Sequence, residues 1–362
     1  MRIDRRRFCR HLLSTTLLSL ALGQAATAQE PLRIGFVYVS PIGDAGWTYQ
    51  HELGRQAVEE ALGERVATKY IENVPEGGES ERVIRGFAAD GYGLVFTTSF
   101  GYMNPTVKVA RQFPQVIFEH ATGYKRADNV GTYSARFYEG RYLAGMVAGA
   151  MTESGVAGYV AAFPIPEVLR GINAFTLGMR AVNPDAQVKV IWVNSWFDPG
   201  REREAADVLL AQGADVITHH TDSTAAVQAA EEANAYAVAY HSDMSKYGPN
   251  AQLTAVSHHW GAFYTMIAEE VLNGTWESRD VWGGIAAGMI RLAPLNPVVP
   301  EAIAQRVEQT RQAIVDGDFH PFQGPITGQD SSVRVPEGTT LSDQDLLTME
   351  WYVEGVQGEL PK

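Results

Sequence analysis

The chain has 362 residues, a formal net charge of −13 and a single cysteine. Such an acid excess argues against a nucleic-acid partner, which requires a basic face. One cysteine allows no internal disulfide, so the fold must rest on its core, and this length supplies enough for two lobes of about 100–200 residues. Beyond Ala28 no stretch offers the roughly 20 apolar residues that cross a bilayer, so that part is expected to be soluble.

The basic start comes first. Arg2, Arg5, Arg6, Arg7 and Arg10 precede an uncharged stretch from Leu12 to Ala28, which closes on Ala26-Thr27-Ala28. A charged start, an apolar run and a small-x-small end are the marks of a secretory signal peptide over residues 1–28. Arg5-Arg6-Arg7-Phe8 resembles a twin-arginine export signal; an ordinary secretory signal with extra arginines is the other reading. Cys9 lies too early to carry a lipid. The expected location is therefore the periplasm, without a lipid anchor.

From Pro31 onward, short apolar runs alternate with amphipathic stretches. Leu32–Val39 reads as a strand, Trp47–Leu62 as a helix, Val66–Ile71 as a strand and Ser80–Ala89 as a helix. Leu94–Thr98 is a third strand, followed by a helix near Pro105–Gln112 and strands at Val116–Glu119 and Val130–Tyr133. This β-α-β order implies a parallel sheet covered by helices on both faces. The pattern then restarts, with a helix over Gly140–Met151, a strand at Val156–Ala161 and a helix over Ile165–Val182. Strands at Val188–Val193, Val216–His219, Ala237–Tyr240 and Leu253–Ser257 follow, with helices at Arg201–Ala211 and near Thr224–Asn234. A helix over Trp260–Leu272, short runs at Val281–Ile285 and Met289–Leu292, and a helix near Glu301–Asp316 complete the order. The stretch from Phe319 on is rich in Gly, Pro and Asp and is expected to wrap the surface. The predicted architecture is α/β, with two doubly wound parallel-sheet lobes joined by a hinge and a ligand cleft between them.

Ligands in such sheets lie beyond the carboxyl ends of strands. After the first strand come Asp44 and Trp47, at a helix start where Asp44 caps the helix or faces the cleft and Trp47 packs or serves as a ligand platform. After the third strand come Phe100 and Gly101, the glycine allowing close backbone approach. Asn194-Ser195-Trp196-Phe197-Asp198 places Trp196 in the opposite lobe from Trp47, and two such rings could sandwich a flat ligand. Three further strand ends carry His219-His220-Thr221-Asp222-Ser223, Tyr240-His241-Ser242-Asp243 and Ser257-His258-His259. Five of the nine histidines fall there. Zinc is one reading of these groups, but tight metal-ligand spacing is missing. Neutral imidazoles that hydrogen-bond ring nitrogens are the preferred one. No cofactor is expected. No nucleophile elbow, P-loop or zinc-protease motif is present, so the chain reads as a non-enzyme.

At these residues the sequence resembles the basic-membrane-protein (BMP) family of ABC-importer binding proteins, which includes purine nucleoside receptors. Asp44-Ala45-Gly46-Trp47-Thr48 is similar to the family's Asp-x-x-Phe-Asn. Glu139-Gly140-Arg141-Tyr142-Leu143-Ala144-Gly145 matches its Glu-Gly-x-x-Leu-Ala-Gly. Asn194-Ser195-Trp196-Phe197-Asp198 is similar to its Gly-Ser-Phe-x-Asp. The resemblance implies a type I periplasmic binding fold, a purine-like heterocycle between Trp47 and Trp196, and an inner-membrane ABC permease as partner, with the binding protein a monomer. Where nucleoside binders carry a ribose-holding Asp, this chain has His241; a ribose Lys aligns with His258. Losing both weakens the case for a sugar and favours a free purine base, adenine- or hypoxanthine-like. The expected binding residues are Asp44, Trp47, Phe100, Gly101, Trp196, Asp222, Ser223, His241 and His258. The expected lobes are 29–136 with 258–280, and 137–257 with 281–345, followed by a tail over 346–362. A purine nucleoside ligand, a sensor domain for a membrane receptor, and a nucleosidase are the rival readings.

Overall fold

The alternating runs form two sheets. In the computed structural model, which describes residues 30–361, the first half contains β1 (Leu32–Val37), α1 (Trp47–Leu62), β2 (Val66–Ile71), α2 (Gly78–Ala89), β3 (Leu94–Thr97), α3 (Met103–Ala110), β4 (Ile117–Ala121) and β5 (Val130–Ala135). The second half runs α4 (Phe137–Met151), β6 (Val156–Ala161), α5 (Pro166–Val182), β7 (Gln187–Trp192), α6 (Pro199–Ala211), β8 (Val216–His219), α7 (Ala225–Glu232), β9 (Tyr236–His241) and β10 (Gln252–His258). Then come α8 (Gly261–Asn273), β11 (Asp280–Gly283), β12 (Ile290–Leu292), α9 (Glu301–Asp316), β13 (Ile326–Thr327), β14 (Val333–Val335), α10 (Asp343–Leu347) and β15 (Val356–Gln357). The signal-peptide expectation for residues 1–28 lies outside the described residues.

The first sheet has the order β11-β5-β4-β3-β1-β2 and is parallel throughout. The second has the order β12-β10-β9-β8-β6-β7-β15, with β12 alone antiparallel. Central strands such as β3 and β8 are buried at every position, as continuous apolar runs require when helices cover both faces. In each sheet the strand order reverses at the first strand of the half, β1 or β6, which opens a crevice at its carboxyl end.

The chain crosses between the sheets three times, after β5, after β10 and after β11. Two boundaries therefore differ from expectation. The segment after residue 280 was expected in the second lobe, yet β11 pairs with β5 in the first sheet. It can do so because α8 has already carried the chain back across to pack on α1. Residues 346–362 were expected as a tail, yet β15 extends the second sheet beside β7, and Met349, Tyr352 and Val353 are buried.

Helices α4 and α5 pack closely in the second half. A Cβ on Gly145 would lie 2.1 Å from the Phe175 carbonyl oxygen, and one on Gly178 would lie 2.0 Å from that of Tyr142. That contact is the physical reason for the glycine at the end of the Glu-Gly-x-x-Leu-Ala-Gly run.

Candidate functional site

Both crevices face each other across one seam. A cavity of about 30 Å³ lies there. From the first lobe it is lined by Val39, Trp47, Ser99, Phe100 and Thr122; from the second, by Ile165, Glu167, Trp196, His220, Asp222 and His241. Each of these residues lies at or beyond the carboxyl end of a strand. The lining combines aromatic and aliphatic side chains with a few convergent polar groups, the make-up of small-ligand sites; the space itself holds about one water, so a ring enters only when the lobes part.

Trp47 opens α1 and is 8 % exposed. Its indole nitrogen donates to the Thr98 carbonyl at 2.7 Å. His241, His258, Phe137 and Trp260 meet its ring edge-on, with centroids 5.6, 5.4, 6.0 and 5.9 Å away. The ring is thus held rigidly where the two lobes meet. Trp196 is held more loosely. It is half-buried on the loop after β7, packs on Phe163 at 4.9 Å, and donates to Glu76 of the opposite lobe at 3.2 Å.

Helix α1 has no capping side chain of its own, because its N-cap is Gly46. The cap comes from the other lobe: Asp222 accepts the Trp47 N–H on Oδ1 and the Ser40 hydroxyl on Oδ2. A carboxylate at a helix start satisfies orphan donors and complements the dipole. Burial lifts its pKa to about 7, against the opposing pull of the Ser40 and Trp47 hydrogen bonds. Gly46 makes the approach possible. Its φ is +99°, and a Cβ there would lie 2.3 Å from the Asp222 carbonyl oxygen. Further cross-lobe bonds run from Gly46 N and from Gln50 to the Ser242 hydroxyl, at 3.0 and 2.8 Å.

The imidazoles of the second lobe stay neutral. Burial lowers the pKa of His220, and burial with neighbouring imidazoles and Arg141 holds those of His241 and His258 well below the usual range. Arg141 is fully buried, with its guanidinium carbon 3.4 Å from the centre of the Tyr240 ring. It donates to the Thr218 hydroxyl and the His219 carbonyl, which fixes the end of β8. Several ring nitrogens have no hydrogen-bond partner among the described residues: His220 Nδ1, His241 Nδ1 and both nitrogens of His258. Such unpaired buried groups are rare in folded proteins and call for a ligand or ordered water. Strain collects here as well. Thr122, Asn194 and His241 are non-glycine residues with φ of 62°, 51° and 70°, each costing about 1–3 kcal/mol and typical of functional sites.

Of the nine residues singled out in the sequence, Trp47, Phe100, Trp196, Asp222 and His241 line the cavity. His258 lies behind the lining, against Phe137 and Trp47. Ser223 donates to Glu202 at 2.6 Å, away from the cavity. The Gly101 N–H is taken by Glu76 at 2.9 Å. Asp44 is exposed at the rim, where Tyr247 donates to it at 3.0 Å and Lys246 lies 3.6 Å away, so it joins the lobes outside the cavity. Sequence reasoning missed Glu76, Glu167 and Thr122. Glu167 was within reach of the strand-end rule, which also applies to the segment after β6. Among the described residues, no group of three or more His, Cys, Asp or Glu is placed to hold a metal ion.

Comparisons with known proteins fit this geometry. The profile of the Bmp family, described as ABC transporter substrate-binding protein PnrA-like, matches residues 32–318. A protein of Brucella abortus named as a purine-binding protein is 51 % identical over 97 % of this chain and 100 % of its own. A protein of Haloferax volcanii, named for glucose binding in an ABC transporter, is 41 % identical over 94 % of this chain and 84 % of its own. Among solved structures, a solute-binding protein of an ABC transporter system from Aeropyrum pernix superposes with a TM-score of 0.71 at 20 % identity, covering 87 % of this chain and 95 % of its own. This last likeness speaks for the fold alone.

Proposed function

Because the chain belongs to the Bmp family of PnrA-like ABC transporter substrate-binding proteins, we propose that its ligand is a purine base held face-on between Trp47 and Trp196. The protein is the substrate-binding component of an ABC transporter, with a small-molecule ligand and a membrane permease as partner. The family binds solutes rather than transforming them. Such proteins work outside the inner membrane, and we place this one in the periplasm.

One observation carries the ligand reading. Two indoles from opposite lobes line a single small cavity whose wall also includes Phe100, aliphatic and hydroxyl side chains, two imidazoles and two carboxyl groups. Flat aromatic faces suit a planar ring, and each stacked pair adds about 0.5–1.5 kcal/mol beyond area burial. Imidazoles and carboxyl groups suit its polar edge. The purine-binding name of the Brucella relative supports the same choice. Ligand touching both lobes favours closure by its differential affinity for the closed state, and the permease then meets that state.

A nucleoside is the second reading. A groove of about 600 Å³ shares Phe100 and Thr122 with the cavity and continues past Thr132, Ser134 and Arg170, leaving room for a sugar. Calorimetry with adenine, hypoxanthine, guanosine, inosine and D-glucose tests the choice. Tightest binding of a free base is expected. Tighter binding of guanosine than of every base would move the assignment to nucleosides, and glucose binding without purine binding would end it.

A further inference from the structure

We propose that Glu167, with His220 beside it, reads the polar edge of the bound ring and selects purines that present an N–H donor next to a ring or carbonyl acceptor. This rests on the purine reading above and names the group that would enforce it. Glu76, Asp222 and Glu167 are the carboxyl groups gathered around the cavity. Glu76 is occupied by the Ser99 hydroxyl, the Gly101 N–H and the Trp196 indole. Asp222 is occupied by the Trp47 N–H and the Ser40 hydroxyl. Glu167 lines the cavity and accepts no hydrogen bond among the described residues; the His220 Nε2 stands 3.6 Å away.

The Glu167 side chain is only 10 % exposed. It occupies the first turn of α5, where the helix dipole favours a negative charge. A carboxylate is acceptor-only, and one so nearly enclosed needs a donor to offset its lost hydration. His220 is held neutral and is buried at 2 % exposure, so it offers one N–H and one lone pair. An acceptor beside a donor is the complement of a purine edge such as that of adenine, where an amino N–H adjoins a ring nitrogen. A site built to receive such a donor rejects the isostere that lacks it, because its own polar group is then left unpaired.

Calorimetry on the purified protein with adenine and 6-methylpurine tests this, since a methyl group replaces the amino group at nearly constant shape. The wild type should bind adenine more than about tenfold tighter. Glu167→Leu should bring the ratio within about threefold by losing adenine affinity, while circular dichroism and a cooperative thermal melt report that the protein still folds. His220→Gln should narrow the ratio by a smaller factor. A wild-type ratio near one, or a ratio that persists in Glu167→Leu, overturns the assignment but leaves the purine reading standing. Failure of the wild type to bind either ring overturns both.

Discussion

The two indoles are the same residue type in opposite lobes, yet they are held in different ways. Trp47 starts a helix, is flanked by five aromatic or imidazole rings edge-on, and has its N–H fixed by a backbone carbonyl of its own lobe. Trp196 hangs on a loop that leaves β7 through a left-handed Asn194, and its N–H is bound by a carboxylate of the other lobe. The first face is therefore pre-organised, while the second is completed by closure. Pre-organisation on one side lowers the ordering cost of binding.

The comparison is broken most severely at its fixed face. Trp47→Ala should lower purine affinity by more than about tenfold and also cost about 3–5 kcal/mol of stability, as large-to-small changes at buried aromatics do. Calorimetry and thermal melts measure the two losses, and unchanged affinity would remove this ring from the site. Gly46→Ala attacks the closure itself, because its Cβ would strike the Asp222 carbonyl. Affinity should fall about tenfold or more with little change within either lobe, and small-angle scattering should show a more extended molecule. A compact, fully active Gly46→Ala protein would contradict the close cross-lobe approach.

Asp222→Asn sharpens the picture through pH. The folded carboxyl group has a pKa near 7, against an ordinary 3.8, because it is buried. Between those values the folded protein keeps a proton that the unfolded chain has released. This group's contribution thus favours folding below about pH 4 and is lost as pH rises through about 7. Glu119, raised to about 8 by burial, contributes with the same sign but is present in both proteins and cancels. The melting temperature of wild type minus that of Asp222→Asn should therefore decline from pH 4 to pH 7. A flat difference would show that Asp222 does not titrate in this range. The smallest effect belongs to the looser face: Trp196→Phe keeps an aromatic ring and should cost less than about threefold in affinity, whereas Trp196→Ala should cost about tenfold with a near-normal melting temperature.

Much of the fold was legible because local signals bracket its elements. Helix α1 begins after Gly46 and ends at Gly63, and α9 runs between Pro300 and a left-handed Gly317, so their bounds follow from sequence. The strand-end rule brought Trp47, Phe100, Trp196, Asp222 and His241 to one place, since a doubly wound sheet gathers those loops whatever their separation. Pairings across the seam were not legible. Asp222 caps a helix that starts 175 residues earlier, and nothing local to either segment encodes that approach. The edge position of β11 likewise depends on where α8 docks rather than on its own residues. Glu167 escaped notice because its segment reads locally as an ordinary helix start after a proline.

A crystal structure of the protein with adenine addresses the central claim most directly. The ring system should lie in the interlobe cavity with its two faces against Trp47 and Trp196 and its amino edge toward Glu167. Adenine bound elsewhere, or bound there with either indole turned away from its face, would contradict the account.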